Sequence, residues 1–331
     1  MAVNTIVTYG EALVDMIEMS DGRFAAALGG SVCNFTLACA RQALPVTYLN
    51  PLSFDSFGNG FARLLADAGV TLASAQRSSH PTSLAIVTLD ASKSPSYAFH
   101  RDGVADRDIT PRQACALLPA GTRLFHTGGL TLLPTDLDNT RQIISAAAAT
   151  GALISIDANM RPLASPDLAS YAAGVRRTLA LAQLIKVSEE DLVHLGFGEL
   201  APLDAARQLL AETDVSLIAL TLGADGAVLL SRSVSVSVKT PAGLVVADTV
   251  GCGDCFMAGL VQSLGEAGLL TPAALAGADA ATLEQAGRRA VATASLNATR
   301  EGCNPPTAAE VTLFLRGAAT AHGARAASSD A

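Results

Sequence analysis

The sequence predicts an α/β fold: a mostly parallel central sheet, helices on both of its faces, and a small β lid. Three observations carry this expectation. Short β-branched runs alternate with helical stretches nearly throughout, and such alternation builds parallel sheets covered on both sides. Half of the 331 residues are hydrophobic and only 16% are charged, enough to bury one large core. Two regions break the alternation with extended segments that have no crossover helix, and these predict the lid.

In chain order, the strand candidates are Thr5–Thr8, Val46–Asn50, Leu84–Leu89, Leu124–His126, Leu153–Ile156, Leu184–Val187 and Leu217–Thr221. Phe61, Leu64, Leu65 and Ala68 recur at helical spacing, with Gly69 as a C-terminal stop. Met257, Leu260, Val261 and Leu264 repeat that spacing after a glycine-rich turn. Val14–Phe24 and Ser83–Arg101 are the extended, lid-forming segments. Ala227–Leu230 and Val234–Val238 read as a hairpin joined by Ser231-Arg232-Ser233. The expected organisation is a single domain over 1–317, with lid segments near 14–28 and 83–108, and a frayed small and polar tail over 318–331.

Composition excludes several functions. With 22 basic against 30 acidic residues the net charge is −8, and the three lysines (Lys93, Lys186, Lys239) form no basic run. Such a chain is a poor partner for nucleic acid or an anionic membrane. No apolar stretch is long enough to span a bilayer, and the N-terminal residues show neither a basic leader nor an apolar signal region. Six cysteines in this length are too sparse for a disulfide scaffold, so thiols in a reducing cytoplasm are expected.

The most informative segment is Asp248-Thr-Val-Gly-Cys-Gly-Asp254, which follows the strand-like Leu244–Val246 and opens the apolar-striped helix. Gly251 and Gly253 permit a tight turn, and the amides of Gly251, Cys252 and Gly253 would point from a helix N-terminus toward a phosphate. Asp254 beside that anion site is suited to take a proton from an attacking hydroxyl. A plain N-capping aspartate at a glycine-rich turn fits the local pattern equally well. Elsewhere, Gly29-Gly30-Ser-Val-Cys-Asn34 opens an apolar helix and Gly10-Glu-Ala-Leu-Val-Asp15 ends the first strand. No GxxxxGK(S/T) phosphate loop occurs, which excludes a P-loop kinase.

Taken together, the GGxxxN spacing, the early Asp15 and the late glycine-rich acid resemble the ribokinase-like (PfkB) family of carbohydrate kinases, over nearly the whole folded chain. The resemblance implies a ribokinase-like three-layer fold. It implies Asp254 as the catalytic base and Gly251, Cys252 and Gly253 as the anion hole. Asp15, Gly29, Gly30 and Asn34 match the sugar ligands. Thr221, Gly223 and Gly226 match the turn bordering ATP, joined by Lys186 and Ser188, and Asp191 takes the place of a magnesium-linked acid. A monovalent-cation (K⁺) site is implied at the carbonyls of Asp248, Val250, Asn297, Arg300 and Gly302. Three departures from the family pattern stand out: cysteines at 252 and 255, Ser188 and Asp191 in place of Asn and Glu, and Ala158 in place of Pro.

Tyr97–Asp106, Phe125–Leu130 and the segment from Lys186 to Leu192 resemble bacterial fructokinases. The expected reaction is therefore transfer of phosphate from Mg-ATP to D-fructose, giving fructose 6-phosphate. Arg101 and Arg161 are candidates to orient the substrate, but they also suit the carboxylate of 2-keto-3-deoxygluconate, and Arg101 equally reads as a solvated lid residue. A catalytically silent sugar-binding regulator is the alternative from another class. The family further implies a homodimer through the lid. Cys252 and Cys255 lack a second ligand pair for zinc, while a helix N-terminus is expected to lower the thiol pKa of Cys252. The five histidines do not cluster and read as structural.

Overall fold

The computed structural model describes residues 5–89 and 95–317, so the tail expected over 318–331 lies outside the described residues. In chain order the strands are β1 (Thr5–Thr8), β2 (Leu13–Glu18), β3 (Phe24–Gly29), β4 (Val46–Tyr48), β5 (Thr71–Leu72), β6 (Ser83–Leu89), β7 (Pro95–His100), β8 (Thr122–Gly128), β9 (Leu153–Asp157), β10 (Leu184–Ser188), β11 (Leu217–Thr221), β12 (Ala227–Leu230) and β13 (Ser235–Val238). The helices are α1 (Ser31–Arg41), α2 (Ser56–Asp67), α3 (Pro111–Ala116), α4 (Leu137–Ala149), α5 (Leu168–Leu179), α6 (Glu189–Leu192), α7 (Pro202–Ala211), α8 (Cys252–Glu266), α9 (Pro272–Ala276) and α10 (Ala280–Ala298).

Nine strands form the main sheet in the order β13-β12-β11-β10-β9-β8-β1-β4-β5. Pairing is parallel from β11 through to β5, and antiparallel only at the β11–β12 and β12–β13 steps. Side chains alternate across each strand, so neighbouring residues serve opposite faces. Val7, Ile185 and Ile218 join a core with Ile143, Val175 and Leu209 from α4, α5 and α7. Their neighbours Ile6, Leu184 and Leu217 join a second core with Phe35, Phe61, Leu260 and Ala290 from α1, α2, α8 and α10. Burial on both faces explains why these strands read as continuous apolar runs. The expected hairpin is present, with β13 starting one residue later than expected because Ser231 N–H bonds the Val234 carbonyl across the turn.

The lid is a second sheet of four strands, β3-β2-β6-β7, with β2 and β6 parallel and the outer pairs antiparallel. The expected single run Val14–Phe24 is instead interrupted. Met19 N–H donates to Arg23 O at 2.7 Å, and Gly22 supplies the positive φ of 79° that turns β2 back as β3. A second correction concerns Leu244–Val246, which forms no strand. Its Val245 is 83% exposed, and the segment joins neither sheet.

Helices α8 and α10 press closely together at Gly259. A Cβ there would fall against Thr293 Oγ1, 2.9 Å from Thr293 Cβ and 3.0 Å from the Arg289 carbonyl. Alanine gains up to ~1 kcal/mol of helix propensity over glycine, while overpacking costs ~1–3 kcal/mol. The steric cost wins: Gly259→Ala is expected to destabilise the fold by about 1–2 kcal/mol. A lowered urea midpoint at unchanged slope is the expected readout, and an unchanged midpoint would show that the helices separate freely.

Candidate active site

Parallel topology brings the loops after β1, β9, β10 and β11 to one edge of the sheet, the usual place for ligands in such folds. The N-termini of α1 and α8 converge on the same edge. Helix α8 begins after Gly251, whose φ of 73° requires the left-handed region, and Asp254 occupies its first turn without capping it. Instead the Asp254 carboxylate accepts 2.9 Å from Ser31 Oγ at Oδ1 and 3.1 Å from Asn34 Nδ2 at Oδ2. This decides between the two readings of the glycine-rich turn: the capping one is excluded. Burial raises the Asp254 carboxyl above its ordinary value, against the pull of Lys186, Ser31 and Asn34.

Lys186 lies on β10 directly opposite Asp157 on β9. Its Nζ sits 3.0 Å from Asp157 Oδ2 and 3.1 Å from Oδ1, with both side chains buried. Burial works against the ammonium, yet Asp157, Asp191 and Asp254 carry its pKa above the usual lysine value. Burial likewise lifts Asp157 to about 6, with Lys186 opposing, so the pair remains ionised at neutral pH. A Cβ on Gly253 would stand 3.0 Å from Lys186 Nζ, so the glycine is what lets the ammonium reach the start of α8.

On the lid side, Asp15 and Gly29 are brought together, since a Cβ on Gly29 would lie 2.8 Å from Asp15 Oδ2. Burial raises Asp15 to about 6, partly offset by Arg161. Gly30 turns with φ 101° against the Glu11 carbonyl, and Glu11 Oε1 accepts from Ser31 N–H at 3.0 Å. Thr221, Gly223 and Gly226 form the tight turn from β11 to β12, with Leu222 N–H bonded to Gly226 O at 2.8 Å.

The loop carrying Asp248 and Val250 meets the last turn of α10 at Asn297 and the segment 300–302 after it. Asp248 accepts from Gly302 N–H at 2.9 Å and Val250 N–H at 3.0 Å, while Asn297 Nδ2 donates to Val250 O at 2.8 Å. The Arg300 guanidinium turns away to Glu310.

Two expected ligands are tied to protein partners: Arg101 through both terminal guanidinium nitrogens, though its Nε is left without a partner among the described residues, and Asp191 through both carboxylate oxygens. Arg101 is buried and pairs with Asp106 at 3.0 Å and Asp136 at 3.3 Å, which excludes the reading as a solvated lid residue. Asp191 accepts from Met160 N–H at Oδ1 and from Ser188 N–H and Oγ at Oδ2, capping the short helix α6. The expectation for Cys252 is corrected as well: burial pushes its thiol up, outweighing the hydrogen bond from Asn297.

Ser31, Glu11, Asp157 and Asn159 were not among the expected site residues. Asp157 and Asn159 end β9 at the same edge as Lys186, a signal available once β9 and β10 are recognised as neighbours.

A phosphate-ready helix N-terminus, a buried acid facing it and a lid over the sheet edge define a small-molecule phosphotransferase. The chain belongs to the pfkB family of carbohydrate kinases, whose model matches residues 3–310. It is therefore a sugar kinase. A fructokinase of Rhizobium leguminosarum bv. trifolii is 30% identical over 278 residues, covering 83% of this chain and 84% of that protein. Fructokinase-1 of Oryza sativa subsp. japonica is 28% identical over 328 residues, covering 95% and 98%. Among solved structures, fructokinase from Xylella fastidiosa with bound ATP superposes with a TM-score of 0.85 at 27% identity, covering 96% of this chain and 99% of that one. Fructokinase from Vibrio cholerae with fructose, ADP and calcium shares the fold, with a TM-score of 0.77 at 24% identity over 95% and 99% of the two chains. No helix among the described residues is long and apolar enough to cross a membrane.

Glu11 offers a test of the electrostatics. It is buried and raised from 4.5 to about 7, mainly by desolvation and against the pull of Arg101. A folded-state pKa above the unfolded one gives stability that is fully present below pH 4.5 and lost as pH rises through about 7. Glu11→Gln removes this dependence, so its melting temperature should change less across that window than the wild type's. Parallel melting curves would show that Glu11 titrates normally.

Proposed function

We propose that this chain transfers the γ-phosphate of ATP to D-fructose, yielding fructose 6-phosphate and ADP. The observation that carries the reading is Asp254: a buried carboxylate held by Ser31 and Asn34 in the first turn of α8, beside the Lys186 ammonium. Asp15, the Gly29–Gly30 turn and Asn34 bind the sugar, since carboxylate, amide and open backbone suit polyol hydroxyls. Asp254 takes the proton of the attacking hydroxyl. The amides of Gly251, Cys252 and Gly253 receive the phosphoryl oxygens, with the helix dipole in support. Thr221, Gly223 and Gly226 border the nucleotide. Lid closure excludes water and limits ATP hydrolysis.

Both carboxylate oxygens of Asp191 hold protein donors, and the described residues contain no cluster of three or more potential metal ligands. Magnesium brought in on the ATP phosphates would neutralise charge developing there. In this reading Asp191 supports the Lys186–Ser188 segment through the Ser188 cap. The paired loops at Asp248 and Asn297 make the place for K⁺, whose carbonyl ligands would order the turn before α8.

The charge balance favours a neutral ketose over a sugar acid. Arg101 already faces two carboxylates, Asp106 and Asp136, leaving Arg161 as the remaining candidate arginine for an anionic substrate. Exposed Ile17, Phe24 and Tyr97 on the lid support a homodimer, which sedimentation velocity would test. The six free cysteines fit a cytoplasmic location.

ADP formation with Mg-ATP, measured across fructose, 2-keto-3-deoxygluconate, ribose, glucose and a no-sugar blank, tests the proposal. Fructose should give the highest turnover, and Asp254→Ala should lower it by at least ~10²-fold with sugar affinity much less affected. Preference for the keto acid would move the specificity to Arg161. Calorimetric sugar binding without turnover would identify a silent sensor.

A further inference from the structure

Ser31 stands at the end of a hydrogen-bond chain whose direction is fixed by chemistry. Arg161 carries only donors, and its Nη1 reaches Asn159 Oδ1 at 2.5 Å. The Asn159 amide must therefore turn its Nδ2 outward, and that nitrogen donates to Ser31 Oγ at 2.6 Å. Ser31 is thus an acceptor toward Asn159, and its single proton is left for Asp254 Oδ1 at 2.9 Å. The backbone is pinned as well, by the bond from Ser31 N–H to Glu11 Oε1 at 3.0 Å. Asn159 holds an unusual positive φ of 33°, a conformation retained where the surroundings enforce it.

We propose that the Ser31 hydroxyl is a positioning group for Asp254, fixing Oδ1 and stabilising the carboxylate's charge through a relay from Arg161 and Asn159. The inference rests on Asp254 being the base. Alanine at 31 would remove the donor at Oδ1 and leave Asn159 Nδ2 without its acceptor. Other groups bear on the same carboxylate: Lys186 from β10, Asp157 and Arg161 from the end of β9, Cys33 from α1, and Cys252 and Cys255 from α8 itself. Lys186 and Arg161 remain in a Ser31 variant, so the change removes the two hydrogen bonds of the hydroxyl and leaves the formal charges of the site in place.

The test is the pH dependence of kcat/KM, which reports the free enzyme's base. In Ser31→Ala the acid limb should move up by about one pH unit, the scale of one hydrogen bond to a charged group. The alkaline plateau should fall as well, because Oδ1 loses the donor that holds it in place, and Ser31→Thr should restore the limb. A uniform loss of rate with an unmoved limb, in a variant that melts like wild type, would overturn the proposal. If Ser31→Ala does not fold, Asn159→Ala should shift the limb in the same direction by less, and an unmoved limb there would overturn it. Carboxyl ¹³C titration of Asp254, assigned by its loss in Asp254→Asn, reads the same shift without turnover. That measurement separates this proposal from the kinase reading: absence of sugar-dependent ADP formation would end the latter, while an unshifted Asp254 titration in Ser31→Ala would end the former.

Discussion

The Lys186 ammonium is the interaction on which the site depends. Three buried carboxyl groups, Asp157, Asp191 and Asp254, act on it. Buried acids without a cation take up protons, and an acid kept protonated serves neither as a base nor as an anchor. Removing one partner of a buried pair typically costs ~3–5 kcal/mol, because the other charge is left unsolvated. The fold supplies the cation through strand register rather than a flexible reach. Lys186 and Asp157 face each other on adjacent parallel strands, and Gly253 clears the space in which α8 starts. The same ammonium adds to the positive end of the α8 dipole, so the group that keeps the acids charged also makes the edge receptive to phosphate.

How much of this could be read from the sequence depended on whether the information was local. Strands β1 and β11 were legible to the residue, because buried parallel strands bounded by polar turns leave an uninterrupted apolar signature. The glycine-rich start of α8 was equally visible, since only particular residues tolerate that backbone. Leu244–Val246 has the composition of a strand but pairs with none, and pairing is a tertiary property. Ser31 lies inside a motif in which only the glycines carry a recognisable backbone requirement. Its partner Asp254 lies 223 positions away, and no spacing rule reaches that far. For Arg101 and Asp191 the sequence showed the charge but not the partners already engaged with it.

The lid and the main sheet are tied by that same engagement. Arg101 follows β7, the last lid strand, and bonds Asp106, Asp136 and the carbonyl of Leu130 after β8. Arg107 adds a 2.8 Å bond to Asp136. These contacts fix one end of the lid to the base, whereas the β2–β3 turn at Gly22 is exposed and no Cβ there would meet a neighbour within 4 Å. A sheet anchored at one end and open at the other can close over a substrate by small adjustments along β2 and β3. Asp15 and Gly29 sit on those two strands, so closure would move the sugar side proposed above toward Asp254, the proposed base.

As the proposed base, Asp254 faces a question of capacity, because it already accepts two hydrogen bonds. A carboxylate offers about four lone-pair directions, so Ser31 and Asn34 leave room for a third partner. An attacking hydroxyl can bring its proton to this carboxylate without displacing either neighbour. Because Ser31 and Asn34 each hold one oxygen, the carboxylate cannot rotate freely about its Cβ–Cγ bond. In the proposed role, the proton acceptor is thereby set in place before a sugar arrives, and little reorganisation remains for the reaction itself. Burial pushes the Asp254 carboxyl up, while Lys186, Ser31 and Asn34 pull it down. In the proposed role these opposing effects serve one end: burial makes the carboxylate a stronger base, and its donors hold it in line for the proton.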